Sequence, residues 1–268
     1  MARRSTFADH RAILFDIDGV LTVSWKPLPG AAEAVSLMRK AGWSLAFVTN
    51  TSSMSRRILG QQLADAGIEA RIEEIFTAAR AATLYLNEHY RGARCLLLNS
   101  GSLGEDLEGL NLANDDGGAE VVLTGGAGPE IGYDLLNRAF RSLLDGASLV
   151  AMHRNFSWTT TDGPQLDMGP LVLALETAAS VEAKLIGKPA PEFYSSILDQ
   201  LGVEPSGAVM IGDDIESDVL GAQAIGMHGV LVRTGKFRAE ALERASGEPD
   251  DVIDSVAGLA ELLDIGHG

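Results

Sequence analysis

The segment DIDGVLT, Asp16 to Thr22, sets two carboxylates two residues apart directly after an apolar run. A carboxylate can attack phosphorus and form a mixed anhydride. A second carboxyl can protonate the leaving oxygen and afterwards activate water. Asp16 and Asp18 could divide these tasks, with Gly19 letting the chain turn away sharply. An ordinary strand-end turn has the same Asp and Gly composition, so the segment alone leaves both readings open.

Three other clusters carry related chemistry. In VTNTSS, Val48 to Ser53, Thr49 and Asn50 precede a helix-like stretch. Hydroxyls, an amide and free backbone N–H groups there could hold an anion, or form a plain polar loop whose Ser55 caps the helix. Lys188 lies in IGKPAPEFY, after apolar Leu185–Ile186 and before a helix expected to start around Pro191. It could offset the charge of a carboxylate and a phosphoryl group together, or be a solvated loop lysine. In MIGDDIESDV, Asp213, Asp214 and Asp218 crowd the start of a predicted helix. Some of that charge could serve capping. Three close aspartates also repel, and a hard cation such as magnesium, which takes oxygen ligands, would relieve them.

These clusters need a frame. Ala12–Phe15, Leu45–Val48, Val209–Ile211 and Val230–Val232 are short continuous apolar runs, separated by helix-like stretches such as 31–41 and 56–66. Such runs read as parallel strands covered on both faces, and their alternation with helices predicts a doubly wound, Rossmann-like α/β core. All four clusters then fall at the ends of neighbouring strands, where open α/β sheets bind ligands. The middle of the chain also reads as α/β, with strands at 96–98, 121–123 and 149–152, a helix at 133–144 and a loop at 111–118. His153, Arg154 and Asn155 end one of these strands and are candidates for contacts with the leaving group. Trp158 with Thr159–Thr161 suggests a hairpin edge that packs, and His10 is expected at the surface.

The chain's 268 residues, 46% hydrophobic and 22% charged, fit one large domain or two modest ones. A formal net charge of −16 argues against nucleic acid and anionic membranes as partners. It also means that a site for an anionic substrate must recruit a local cation. The lone Cys95 forms no intrachain disulfide and reads as a buried, inert thiol. No apolar run approaches the ~18 residues that span a bilayer, and MARRSTFADHR lacks a signal-peptide stretch, so a soluble cytoplasmic protein is expected.

In this order, the four clusters resemble the motifs of the haloacid dehalogenase-like (HAD) superfamily, over nearly the whole chain from Ala12 to about Arg238. The resemblance implies Asp16 as nucleophile, Asp18 as general acid and base, and Thr49, Asn50 and Lys188 as phosphoryl-binding residues. It implies magnesium held by the Asp16 side chain, the Asp18 carbonyl and Asp213, with Asp214 and Asp218 supporting the metal from outside its ligand sphere. The long interval between Thr49 and Lys188 is similar to that of the subgroup with an inserted α/β cap, which includes NagD-like phosphatases. It implies a core at 1–80 and 183–268 and a cap at 81–182. TDGPQLDMGPLVLALETAASVEAKLIGKP and VRTGKFR resemble the phospholysine phosphohistidine inorganic pyrophosphate phosphatase branch. The cap sequence GGAGPE, Gly125 to Glu130, departs from the glycine, apolar residue and aspartate common in relatives.

The expectation is therefore a magnesium-dependent phosphatase acting on a small phosphorylated metabolite, a phosphoamino acid or a pyrophosphate-type substrate. Asp18 favours a phosphatase over a dehalogenase, because a departing halide needs no proton. A phosphotransferase or mutase, and a non-catalytic phosphate-binding regulator, are the alternatives. The subgroup also implies a homodimer or higher homo-oligomer.

Overall fold

A computed structural model describes residues 11–113, 118–160 and 163–265. His10 and Thr161 lie outside the described residues. The chain forms two compact units. One comprises the chain up to Thr49, Arg57–Phe76, and Lys188 onward; the other comprises Asn50–Arg56 and Thr77–Gly187.

In the first unit a six-stranded sheet runs in the order Asp251–Ile253, His228–Val232, Ala208–Gly212, Ala12–Asp16, Ser44–Thr49, Ile75–Thr77. From Asp251–Ile253 to Ser44–Thr49 every pairing is parallel. AILFD and AVMIG are buried along their whole length, as the unbroken apolar runs require of strands covered on both faces. Phe15 and Phe47 stack across the pair with ring centroids 6.1 Å apart. Full burial of one such side chain contributes roughly 1.5–3 kcal/mol. Phe15 pairs with both Phe47 and Ile211, and Asp16 with Val48. That register brings Asp16, Thr49 and the Gly212–Asp213 turn out at one edge.

Helix Ala31–Lys40 buries Ala31, Ala34, Val35 and Met38, the three- and four-residue spacing of one helical face. Helix Pro191–Leu201 begins on proline, buries Phe193, Tyr194, Ile197 and Leu198, and stops at left-handed Gly202. The segment after Asp214 departs from the expected α-helix. Ile215–Leu220 is a wide π-helical turn continued by the short helix Gly221–Gln223. The Asp218 carboxylate folds back to accept the N–H groups of Asp213 and Asp214, each at 3.2 Å, within that wide turn.

The second unit has its own parallel sheet, in the order Lys184–Leu185, Ser148–Ala151, Val121–Thr124, Arg94–Leu98, Asn111–Leu112. Helices Tyr133–Leu144 and Met168–Ala179 pack Ala139, Leu143, Met168, Val172 and Leu175 against Leu98, Val122 and Leu149. Strands Ser157–Thr160 and Gly163–Leu166 form the expected antiparallel hairpin, but Trp158 on it is exposed and not packed as expected. Asn111–Leu112, expected in a loop, is an edge strand paired with Arg94–Cys95; residues 114–117 of that loop lie outside the described residues. Cys95 is buried and its thiol is pushed up to about 12 by desolvation. Among the described residues no helix is long and apolar enough to cross a membrane.

Candidate active site

Asp16 ends the central strand and is 5% exposed. The Lys188 ammonium, also buried, stands 2.6 Å from Asp16 Oδ1 and 2.7 Å from Asp218 Oδ1. Burial works against the charge on Lys188, but the two carboxylates outweigh it and raise its pKa. Asp218 is buried and its pKa is also raised, chiefly by desolvation, with Lys188 opposing. Asp16, Asp213 and Asp218 each offer one carboxylate oxygen, and these atoms lie within 4.8 Å of one another.

Asp213 follows strand Ala208–Gly212. Its Oδ2 accepts the Lys236 backbone N–H at 2.6 Å, while its Oδ1 is buried with no hydrogen-bond donor. A Cβ added to Gly19 would sit 1.8 Å from Asp213 Oδ2, and one on Gly235 2.0 Å from it. Both glycines have positive φ and leave room for this carboxylate. Desolvation first, then Asp16 and Asp218, raise the Asp213 pKa to about 8. A buried carboxylate oxygen without a donor, crowded by two other carboxylates, fits a divalent cation taking oxygen ligands. Asp16 and Asp213 could hold one, whereas Asp218 is engaged by Lys188 through Oδ1 and by two backbone N–H groups through Oδ2; magnesium would add its charge to that of Lys188 and Lys236.

Asp18 is solvent-exposed, but neighbouring atoms desolvate it enough to raise its pKa, with Lys236 and Lys188 opposing. Thr49 ends the strand beside that of Asp16 and is buried, and Asn50 follows it. Asp214 is placed differently from Asp218. Its Oδ1 accepts the N–H groups of Glu216 and Ser217 at 3.1 Å each, capping the π-helical turn.

The second unit holds the three residues expected to meet a leaving group. His153 is buried, with Nε2 3.0 Å from Ser52 Oγ. Arg154 pairs with Glu176 and reaches the Ala183 carbonyl at 3.4 Å. Asn155 donates its N–H to His153 Nδ1 at 3.3 Å and accepts the Gly169 N–H through its carbonyl at 2.9 Å.

Two residues of interest were not singled out by sequence. Lys236 lies in the field of Asp16, Asp213 and Asp218, which outweigh its desolvation and raise its pKa. Its signal was available: a Gly-Lys pair just beyond an apolar strand, as with Lys188. Ser52 is buried and bonded to His153, and nothing in a serine-rich loop separates it from its neighbours before the fold is known.

Comparison with known proteins defines the class. The haloacid dehalogenase-like hydrolase family profile matches residues 13–113, and the HAD-hydrolase-like profile matches residues 185–259. The chain belongs to the haloacid dehalogenase-like hydrolases and is a phosphohydrolase of that family. It is 38% identical to human haloacid dehalogenase-like hydrolase domain-containing protein 2 over 239 residues, covering 89% of this chain and 90% of the relative. It is 36% identical to human phospholysine phosphohistidine inorganic pyrophosphate phosphatase over 262 residues, covering 96% and 95%. Its fold matches that of a glycerol phosphate phosphatase from Mycobacterium tuberculosis, solved in complex with magnesium. That match has a TM-score of 0.86, 26% identity, and coverage of 98% of this chain and 78% of the other.

Proposed function

We propose that this phosphohydrolase is magnesium-dependent and works through an aspartyl-phosphate on Asp16. The observation that carries the reading is the buried cluster in which Lys188 bridges Asp16 and Asp218 beside the unsatisfied Asp213 oxygen. When bound, magnesium neutralises charge on the carboxylates and the transferring phosphoryl group.

Asp16 attacks phosphorus as the bond to the leaving oxygen breaks. Lys188 holds Asp16 in place and offsets the charge that gathers there. Asp18 gives its proton to the leaving oxygen, and its raised pKa suits a group that must begin protonated. Water then attacks the phosphorus of the aspartyl-phosphate. Asp18 takes a proton from that water, and phosphate leaves as Asp16 is restored. Thr49 and Asn50 serve as donors to the phosphoryl oxygens, and Lys236 adds positive charge. Asp218 sets Lys188 and the backbone at Asp213, while Asp214 supports the site by capping.

The substrate class is a small phosphorylated metabolite, phosphoamino acid or pyrophosphate-type compound, a range supported by the names of the relatives. The middle of the chain, around 81–182, acts as the cap that selects among them. The formal net charge of −16 argues against nucleic acid and anionic membranes as partners. A homo-oligomer is the expectation from the capped subgroup, and Phe156 and Leu166, neighbours at the base of the hairpin, offer exposed apolar surface for one.

Turnover of a panel of phosphorylated metabolites, with phosphohistidine, phospholysine and pyrophosphate included, tests the reading. Release of inorganic phosphate with magnesium, and none after EDTA, is expected. Transfer of phosphate to an added sugar alcohol in preference to water would instead make it a phosphotransferase.

A further inference from the structure

His153 and the chain around it brace the segment Asn50–Ser52 at both ends. At one end His153 Nε2 meets Ser52 Oγ at 3.0 Å, both side chains buried. At the other, a Cβ on Gly187 would lie 2.5 Å from Asn50 Oδ1 and 2.4 Å from the Met152 carbonyl. The missing side chain lets the Asn50 amide settle against Gly187. Gly187 is itself fixed by donating its N–H to the Met152 carbonyl at 2.9 Å. Met152 and His153 are consecutive, so one strand end secures Asn50 through Gly187 and Ser52 directly. Beyond Ser52 the loop is tied again, as the Ser53 carbonyl accepts the Ser102 N–H at 3.0 Å.

The hydrogen-bond pattern assigns the imidazole's tautomer. Nδ1 accepts the Asn155 N–H, so the neutral ring carries its proton on Nε2 and donates it to Ser52 Oγ. Asp167 Oδ2 stands 3.9 Å from Nδ1, beyond hydrogen-bond reach, and Oδ1 of the same carboxylate accepts the N–H groups of Met168 and Ala127. Ser52, His153 and Asp167 therefore do not form a nucleophilic triad. A base would need a free Nε2 to take the serine proton, and here Nε2 is the donor.

We infer that His153 is a positioning residue for the phosphate-binding loop and not a contact to the leaving group. Its Nε2–H, through Ser52, sets the conformation in which Asn50 presents its amide. The inference rests on the reading of Asn50 as a phosphoryl ligand. A contact to the leaving group would make His153 matter for some substrates and not others. A positioning role makes it matter for the phosphoryl group that every substrate shares.

The experiment compares Asn50→Ala, Ser52→Ala, His153→Leu, His153→Gln and the double variant Ser52→Ala/His153→Leu. Inhibition by inorganic phosphate is read alongside KM and kcat for para-nitrophenyl phosphate and for a bulkier phosphorylated metabolite. One net hydrogen bond corresponds to roughly three- to tenfold in an equilibrium constant. His153→Leu should weaken inorganic phosphate and raise both KM values by about that factor, in equal proportion. Glutamine, which can donate from its amide, should recover most of the loss. Ser52→Ala should match His153→Leu, and the double variant should add nothing. Ser52→Ala removes one atom, so it carries the comparison if His153→Leu does not fold. A His153 effect on substrate ranking with phosphate inhibition unchanged would overturn the inference, as would additive losses. If Asn50→Ala leaves phosphate inhibition intact, the reading of Asn50 fails. If Asn50→Ala weakens it and neither Ser52→Ala nor His153→Leu does, the positioning role alone fails.

Discussion

Lys188 Nζ stands 2.6 Å from Asp16 Oδ1, with both side chains nearly excluded from solvent. A lysine so placed cannot be exchanged for an apolar residue without leaving Asp16 and Asp218 as buried, unmatched carboxylates. In the metal-free protein, Lys188→Met should lower stability by about 3–5 kcal/mol, the usual cost of removing one partner of a buried pair. Adding Asp218→Asn to Lys188→Met should return part of that stability and none of the activity. Urea denaturation beside phosphate release measures both. Unchanged stability in Lys188→Met would remove the bridge from the site's energetics.

The crowded carboxylates also fix how stability depends on pH. Asp213 titrates near 3.8 when unfolded and is raised to about 8 by burial and by Asp16 and Asp218. Between those values the native state binds more protons than the unfolded state, so native stability of the metal-free protein falls as pH rises. The raised pKa of Asp218 acts in the same direction. Magnesium should reverse the penalty, and its stabilising shift in melting temperature should grow from pH 5 to pH 8. A shift that is flat or shrinks across that interval would contradict binding at Asp213.

Gly235 tests the metal site without touching a carboxylate. Its φ is 59°, and a Cβ there would meet Asp213 Oδ2 at 2.0 Å. Gly235→Ala should displace Asp213 and raise the magnesium concentration needed for half-maximal turnover by about tenfold, the effect of a shift near 1.4 kcal/mol. Magnesium titration of activity is the measurement. An unaltered half-point would show that Asp213 is not a ligand.

Much of this site is legible in the sequence because each part ends a continuous apolar run. Phe15, Val48 and Ile211 announce buried parallel strands, so Asp16, Thr49 and Asp213 can be placed at one edge from the sequence alone. The division between Asp214 and Asp218 cannot be read that way. An ideal helix puts residues four apart on one face, whereas the wide turn of Ile215–Leu220 directs one carboxylate to capping and the other to Lys188. His153 is likewise legible as a polar residue at a strand end. Its partner Ser52 lies 101 residues away in sequence, and the pairing appears only with the fold.

Leu173 and Trp158 expose apolar surface on the second unit. Light scattering should give a mass above the 28.3 kDa monomer. Leu173→Glu should reduce that mass while leaving the circular dichroism unchanged. A monomeric wild-type protein at micromolar concentration would argue against the oligomer.

Rapid-quench mixing with para-nitrophenyl phosphate and magnesium, followed by mass spectrometry, tests the chemistry most directly. Para-nitrophenolate leaves with little need of a proton, so Asp18→Asn should still be phosphorylated and should release phosphate slowly for want of a base. The phosphoryl group should be found on Asp16 in Asp18→Asn, and Asp16→Asn should carry none and show no turnover. Phosphate on a serine, histidine or cysteine, or steady turnover by Asp16→Asn without any phosphoenzyme, would contradict Asp16 as the nucleophile.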